Sequence, residues 1–433
     1  MKIPNQPPPW FDDEYLTLRK ELRHVKSIAQ KSNLAKDWQA FKGTRNKLNN
    51  LAKKLKKDYF ESSIRDAGTN SRKLWKTVKT VLPGSQHKPI HSVKVDDNVT
   101  SNGDDIANEF NAFFSNIGKK LADAIPVTTN QANHADGTVP GKNRFQFSRI
   151  TAEEVSNILG DLDGGKATGL DNISPRLLKI GHNQLARPLA YIMNLSFSSG
   201  IVPSAWKISR VSPIFKEGDP TDTSNYRPIS VIPACMKVFE KIVHNQLYKF
   251  IEHHQILSLN QSGFRPKHST QTCLVEVCDY LLNNMSEGYF TGAVFLDLKK
   301  AFDTVHHEVL LNKLVSIGVC GLELEWFSSY LSDRFQVTRV NDHLSSKASV
   351  TFGVPQGSIL GPLLFTIYIN DLPTILKSVD CRVFLYADDT AIFVRGKTVD
   401  IINRILNSKF SHVARWLQTN YLTLNVKKLN PCF

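Results

Sequence analysis

Residues 383–393 read VFLYADDTAIF, two apolar and β-favouring runs set around an adjacent pair of carboxylates, Asp388 and Asp389. Taken alone, the pattern predicts a surface hairpin, because Asp is common at turn positions. Adjacent carboxylates repel each other, however, unless a cation, a shifted protonation state or solvent relieves them. The same eleven residues therefore also fit one half of a metal site, and the choice between the two depends on the rest of the chain.

The charge distribution narrows the partner. Formal net charge is +14 over 433 residues. Residues 1–90 hold 20 Lys and Arg against 8 Asp and Glu, which places +12 of the +14 in the first fifth of the chain. Such an excess suits a polyanion, nucleic acid before an anionic membrane surface. The N-terminus, MKIPNQPPPWFDDEY, has no apolar run of the secretory kind, and 18 consecutive apolar residues occur nowhere. Six cysteines stand at 235, 273, 278, 320, 381 and 432 without zinc spacing. They are expected to be reduced thiols in an intracellular protein of the nucleus and/or cytoplasm, with no membrane contact.

Periodicity divides the chain into three parts. Residues 1–90 read as a basic helical region, with KKLKK at 53–57 as a nucleic-acid-binding face, a nuclear import signal or a solvated helix side. Residues 91–200 read as a helical extension carrying Ile106, Phe110, Phe113, Phe114, Ile117 and Leu121 at helical spacing, with a linker near 126–149. A helix is expected to start at Thr151, where TAEE resembles a capping box. From 201 to 433 strands alternate with helices, which implies an α+β or α/β domain.

Several motifs are excluded. GDLDGGK at 160–166 has the spacing of a phosphate-binding loop, but Ala167 stands where Ser or Thr should hold Mg²⁺. His307-Glu308 lacks the second His of a zinc-protease helix, since position 311 is Leu. No G-x-S-x-G occurs. What remains is an ordered set: FLDLKKAFD at 295–303 with Asp297 at a strand end, GVPQGSILGP at 353–362 entering a helix, and YADD at 386–389. Carboxylates at a strand end and a hairpin tip can hold two Mg²⁺ ions, a device for phosphoryl transfer.

These three blocks resemble the catalytic blocks of reverse transcriptases, most closely those of non-LTR, LINE-like (jockey-type) retrotransposons. KATGLDNISPRLLK, WKISRVSPIFKEGD, NYRPISVIP and QSGFRPKHST are similar to the family's upstream and finger blocks, so the resemblance covers nearly the whole chain. It implies an α+β right-hand polymerase with fingers and a palm sheet flanked by helices, preceded by a mostly helical N-terminal extension. It also implies RNA-directed DNA polymerase activity on an RNA template, a DNA primer and dNTPs. Two Mg²⁺ ions would serve as cofactors, replaceable by Mn²⁺, with no organic cofactor.

Residue by residue, the resemblance assigns metal binding to Asp297 and Asp388, with Asp389 completing the acidic pair. Phe302 looks like the steric gate against a ribose 2′-hydroxyl, although by itself it reads as a core aromatic. Gln356 is similar to the residue that lies along the incoming nucleotide, and its flanking glycines allow close backbone approach. Lys216 and Arg227 match the residues that grip the triphosphate, Arg265 is assigned to template or nucleotide contact, and Lys428 resembles the lysine that protonates pyrophosphate. Asp303 is expected only to cap the following helix.

After Lys428 the family pattern breaks into LNPCF, with no thumb. A fragment or decayed copy, truncated at both ends and keeping fingers and palm, is the expectation. Two other functions stay open: a catalytically inactive nucleic-acid-binding remnant, and an RNA-dependent RNA polymerase, which shares the paired-aspartate logic.

Overall fold

The computed structural model describes residues 8–68, 70, 73–75, 77–78, 89–95, 98–126, 143–425 and 430–432. The chain divides into two compact units, Met1–Pro89 and Ile90–Phe433.

The first unit is a helical hairpin of α1 (Asp13–Ser32) and α2 (Ala35–Ala67). Asp12 caps α1 by accepting the Tyr15 N–H at 2.8 Å, and Asn33 ends it in the left-handed region at φ 51°. Only Asn33 and Leu34 separate the helices. Trp10, before α1, packs on Tyr59 and Phe60 late in α2, so the helices run antiparallel. Leu48 and Ala29 are buried between them. Lys42, Arg45, Lys53, Lys56 and Lys57 are all exposed and fall within an arc of about 120° at helical spacing, away from the Leu48, Leu51, Leu55 stripe.

The second unit opens with strands β1 (Val93–Val95) and β2 (Asn98–Thr100), then α3 (Gly103–Asp123). Helices α4 (Ala152–Gly160), α5 (Pro175–Ile180) and α6 (His182–Ser199) follow, then β3 (Ile208–Phe215), β4 (Tyr226–Val231) and α7 (Ala234–His253). Next come α8 (Thr270–Ser286), β5 (Phe290–Leu296), α9 (His307–Ser316), α10 (Leu322–Leu331), β6 (Arg334–Val340), β7 (His343–Leu344) and β8 (Ala348–Val350). The last elements are α11 (Leu360–Tyr368), α12 (Leu372–Leu376), β9 (Cys381–Tyr386), β10 (Asp389–Gly396), α13 (Val399–Thr419) and β11 (Asn430–Cys432). The result is a mixed α/β unit whose sheets are flanked by helices.

Two larger sheets organise it. One has the order β4-β3-β6-β7 with β8 also on β6, and its β3–β6 pair is parallel. The aromatic stripe of α3 packs on this sheet: Ile106, Phe110 and Phe114 meet Val211, Tyr226 and Val340. The other sheet has the order β11-β5-β10-β9 and is antiparallel throughout. Alternation along its strands gives it two apolar faces. Val294, Leu296, Val383, Leu385, Ile392 and Val394 join the main core, which includes Trp416 and Leu417 of α13, whereas Ala293, Phe384 and Phe393 meet α8.

That main core reaches back to Phe145 and Ile150. The expected linker near 126–149 lies mostly outside the described residues, but its final stretch is built in: Phe145 is buried and Phe147 stacks on Phe197 with centroids 3.9 Å apart. Thr151 does cap α4, accepting the Glu154 N–H at 3.1 Å. Glu240 of α7 is fully buried, accepting from Tyr330 Oη at 2.7 Å and from Ile359 N at 2.6 Å at the start of α11. Its burial pushes the carboxyl above its ordinary range, against those two bonds and the nearby Arg334. Cys235, Cys273, Cys278, Cys320 and Cys381 are free thiols. Among the described residues no helix is long and apolar enough to cross a membrane.

Candidate active site

The opening motif is a hairpin. Tyr386 pairs with Asp389, so β9 and β10 are joined by only Ala387 and Asp388. Ala387 has φ +57°, the positive value a two-residue hairpin needs at its first loop position, where glycine is the usual choice. Strand β5 pairs with β10 with Thr390 opposite Leu296. Asp389 and, just past the end of β5, Asp297 are the next residues toward this end of the sheet, with Asp388 in the turn between strands. Asp297 is fixed from its other side by Asn425, whose N–H donates to the Asp297 carbonyl at 2.8 Å and whose Nδ2 donates to Oδ2 at 2.7 Å. A cavity of about 470 Å³ borders this end of the sheet, lined by Asp297, Asp389, Tyr386, Phe295 and residues of α8.

The hairpin tip is braced by a segment that sequence reasoning treated only as part of a motif. Ser262 N donates to Leu385 O at 2.9 Å, and Leu385 N to Asn260 O at 2.8 Å, which seals the β9 edge. Gln261, 1% exposed, accepts from Ala387 N at 3.1 Å and donates to Ala387 O at 3.3 Å. A side chain at Gly263 would fall on the Ala387 backbone nitrogen, so glycine is required there.

The GVPQG loop docks on the turn after β5. Gly353 N donates to Val305 O at 2.8 Å and Val354 N to Phe302 O at 2.9 Å. Gly353 has φ +80°, and a Cβ on it would lie 2.8 Å from Asp303 Cα. Phe302 is half-buried and stacks on Phe365 of α11, with centroids 4.6 Å apart. Gln356 donates from Nε2 to both carboxylate oxygens of Asp303, at 2.8 and 2.9 Å.

The role expected for Asp303 is therefore corrected. The N-cap of α9 is His306, with no side-chain capping bond, while the Asp303 carboxyl is enclosed beneath Gln356. That burial pushes it up to about 6, opposed by the Gln356 hydrogen bonds and by Lys300. The cause lies fifty residues downstream in the GVPQG loop, which local capping rules do not see.

Lys216 and Arg227 are exposed near the ends of β3 and β4, where Ile214 pairs with Arg227 and Lys216 N donates to Asn225 O at 2.9 Å. They converge on a third cation, Lys300 of the FLDLKKAFD block, to which the sequence reading assigns no role. Lys300, at φ +48°, donates from Nζ to Ser224 O at 3.1 Å and to Tyr226 O at 3.0 Å. Burial lowers its ammonium pKa; Asp303 resists this, while Lys216 and Arg227 add to it. Lys94 supports the same hairpin from β1 through a 2.7 Å ion pair with Asp219.

Arg265 is not brought to this site. Its guanidinium turns inward, donating to Ser258 O at 3.1 Å, Gln261 O at 3.4 Å and Glu252 Oε1 at 3.2 Å, so it braces the segment carrying Gln261. Lys428 lies outside the described residues.

The donor chemistry at the sheet end is carboxylate oxygen alone, as a hard cation such as Mg²⁺ prefers. Among the described residues, no three or more His, Cys, Asp or Glu side chains are gathered closely enough to hold a metal ion by themselves. Mg²⁺ in nucleotide sites is commonly held by one or two carboxylates together with substrate phosphates, so Asp297 and Asp388 fit that mode.

Comparison with known proteins converges on one family. The family model described as reverse transcriptase (RNA-dependent DNA polymerase) matches residues 214–432. The chain is 31% identical over 295 residues to the RNA-directed DNA polymerase from mobile element jockey of Drosophila melanogaster, covering 67% of this chain and 32% of that protein. It is 28% identical over 411 residues to the probable RNA-directed DNA polymerase from transposon BS of the same organism, covering 89% of this chain and 43% of that protein. Over 247 residues it is 26% identical to the Pol polyprotein from type-1 retrotransposable element R2 of Popillia japonica, covering 54% and 33%. The chain thus spans less than half the length of these relatives.

Proposed function

The chain belongs to the reverse transcriptase family of non-LTR retrotransposons, and from that premise we propose that it is an RNA-directed DNA polymerase extending a 3′-hydroxyl with dNTPs on an RNA template. The observation that carries this reading is the register of β5 against β10, which puts Asp297 at the same end of one sheet as Asp388 and Asp389. In this reading residues 201–433 are fingers and palm, with the β3–β4 hairpin in the fingers and the β11-β5-β10-β9 sheet in the palm. Residues 91–200 form the helical extension that supports them. Residues 1–90 add a basic surface for nucleic acid.

Asp297 and Asp388 would hold Mg²⁺, or Mn²⁺ in its place, with Asp389 beside them. Bound there, the cation would neutralise the phosphates and stabilise charge developing on the attacking and leaving oxygens. The protein's own contribution is positioning. Lys216 and Arg227, backed by Lys300, offer positive charge to the triphosphate. Phe302, stacked on Phe365, offers a rigid wall against a ribose 2′-hydroxyl. Gln356 lies along the nucleotide, and Lys428 is the proposed proton donor to pyrophosphate. The compartments that match the reaction are the nucleus and the cytoplasm.

The test is Mg²⁺-dependent extension of a DNA primer on an RNA template, with Asp388→Ala as the control. Incorporation no greater than that control would refute the reading. A preference for NTPs over dNTPs would point instead to an RNA-dependent RNA polymerase. A second reading, nucleic-acid binding without catalysis, is favoured by the basic face of α2 and would show as salt-dependent RNA binding with no extension.

A further inference from the structure

We propose that Asp303 is a positioning residue for Gln356, fixing the amide so that its carbonyl oxygen Oε1 is the group left to meet the incoming nucleotide. This rests on the polymerase reading above, and it gives a place in the site to an aspartate that the sequence pattern marks only as a helix cap.

The backbone of Gln356 is already held. Its carbonyl accepts from Ser230 N of β4 at 2.7 Å, and its loop is tied to the turn after β5 at Gly353 and Val354. Side-chain rotation is the freedom that remains, and Asp303 removes it. Gln356 Nε2 lies 2.8 and 2.9 Å from the two Asp303 oxygens. A carboxylate accepts and cannot donate, so only the NH₂ end of the amide can face it. The flipped amide would set oxygen against oxygen. Asp303 thereby decides which end of Gln356 is committed to the protein and which end stays available.

The surroundings keep Asp303 in place for this task. Lys300 is the nearby cation within its own turn, held in turn by the carbonyls of Ser224 and Tyr226. From the other elements, Gln356 and the buried Arg334 of β6 line a cavity of about 40 Å³ together with Asp303, a space the size of one or two waters. Two segments fifty residues apart thus meet through one carboxylate and one amide.

The experiment is a double-mutant cycle on the full chain with a fixed template and primer. It measures kcat and the dNTP KM for wild type, Asp303→Ala, Gln356→Ala and the double variant, with active-site titration to correct for unfolded protein. The expected result is a dNTP KM raised about tenfold by each single change, with kcat moving less, and no further rise in the double variant. Asp303→Asn, which keeps the shape and one acceptor oxygen, is expected to lie between wild type and Asp303→Ala. It carries the same cycle if Asp303→Ala does not fold.

A KM that rises by the same factor whether or not Gln356 is present would overturn the proposal. So would an unchanged KM in both Asp303 variants, and in either case wild-type activity would leave the polymerase reading standing. Wild-type protein that neither incorporates nor binds dNTPs would defeat the polymerase reading itself, and this proposal with it.

Discussion

Gln261 holds the backbone on both sides of the Ala387 Cα, accepting the Ala387 N–H at 3.1 Å and donating to the Ala387 carbonyl at 3.3 Å. The side chain is 1% exposed, so water cannot replace either bond. Ala387 stands at positive φ immediately before Asp388, a conformation that costs an alanine roughly 1–2 kcal/mol. The turn that presents the acidic pair therefore depends on a residue about 125 positions upstream.

Gln261→Ala is expected to destabilise the fold by about 2 kcal/mol, because it removes the partner of three buried backbone groups, Ala387 N, Ala387 O and Gly263 N. Equilibrium unfolding in urea measures this. A loss below about 0.5 kcal/mol would mean that Gln261 does not hold the tip.

Asp388→Ala and Asp297→Asn should each reduce dNTP incorporation by at least about 100-fold while leaving RNA affinity within about twofold, since the carboxylates serve the reacting phosphates and not the template. Primer extension and fluorescence anisotropy on the same preparations separate the two quantities. Equal losses of both would assign these residues to binding or folding.

Asp303 gives stability a pH dependence with a definite sign. Its folded-state pKa, about 6, lies above the ordinary unfolded value near 3.9. The folded protein therefore binds the proton more tightly, and the associated stability is fully present below about pH 4 and lost as pH rises through about 6. Asp303→Asn should remove this contribution, on the order of 2 kcal/mol between pH 4 and 7. Urea titrations of the two proteins across that range would show parallel curves if the carboxyl were not shifted.

The basic face of α2 predicts a salt signature. Changing Lys42, Arg45, Lys53, Lys56 and Lys57 together to Gln should flatten the dependence of log affinity for single-stranded RNA on log salt, by up to about 0.7 for each phosphate that is no longer neutralised. An unchanged slope between about 50 and 300 mM salt would place the nucleic acid elsewhere.

What could be read from the sequence was whatever has a short period or a short spacing. VFLYADDTAIF folds as the hairpin that two apolar runs around a short polar break imply, and the Ile106, Phe110, Phe114 stripe packs as a helix face. Polar residues whose environment is made by distant segments were opaque. Glu240 reads as one charge on an amphipathic helix, yet it is fully buried because Tyr330 and the start of α11 supply its hydrogen bonds. Asp303 became a partner of Gln356, and Arg265 turned inward to Ser258 and Glu252, for the same reason. Phe145 and Phe147 sit at the end of a stretch with linker composition, but aromatic rings of distant helices receive them, Phe250 of α7 against Phe145 and Phe197 of α6 with Trp326 of α10 against Phe147.

The place of β5 inside its sheet also sets an order of events for a chain leaving the ribosome. Both of its hydrogen-bonding edges are filled by later residues, one by β10 and the other by residues 424–425 and β11. From the moment Phe290–Leu296 emerges until Asp389–Gly396 follows about ninety residues later, this apolar strand has no partner of its own. Exposed strand edges of this kind recruit other strands. Synthesis of this protein thus includes a long interval in which its catalytic strand is open to aggregation, and shortened versions ending before Asp389 are expected to collect in the insoluble fraction.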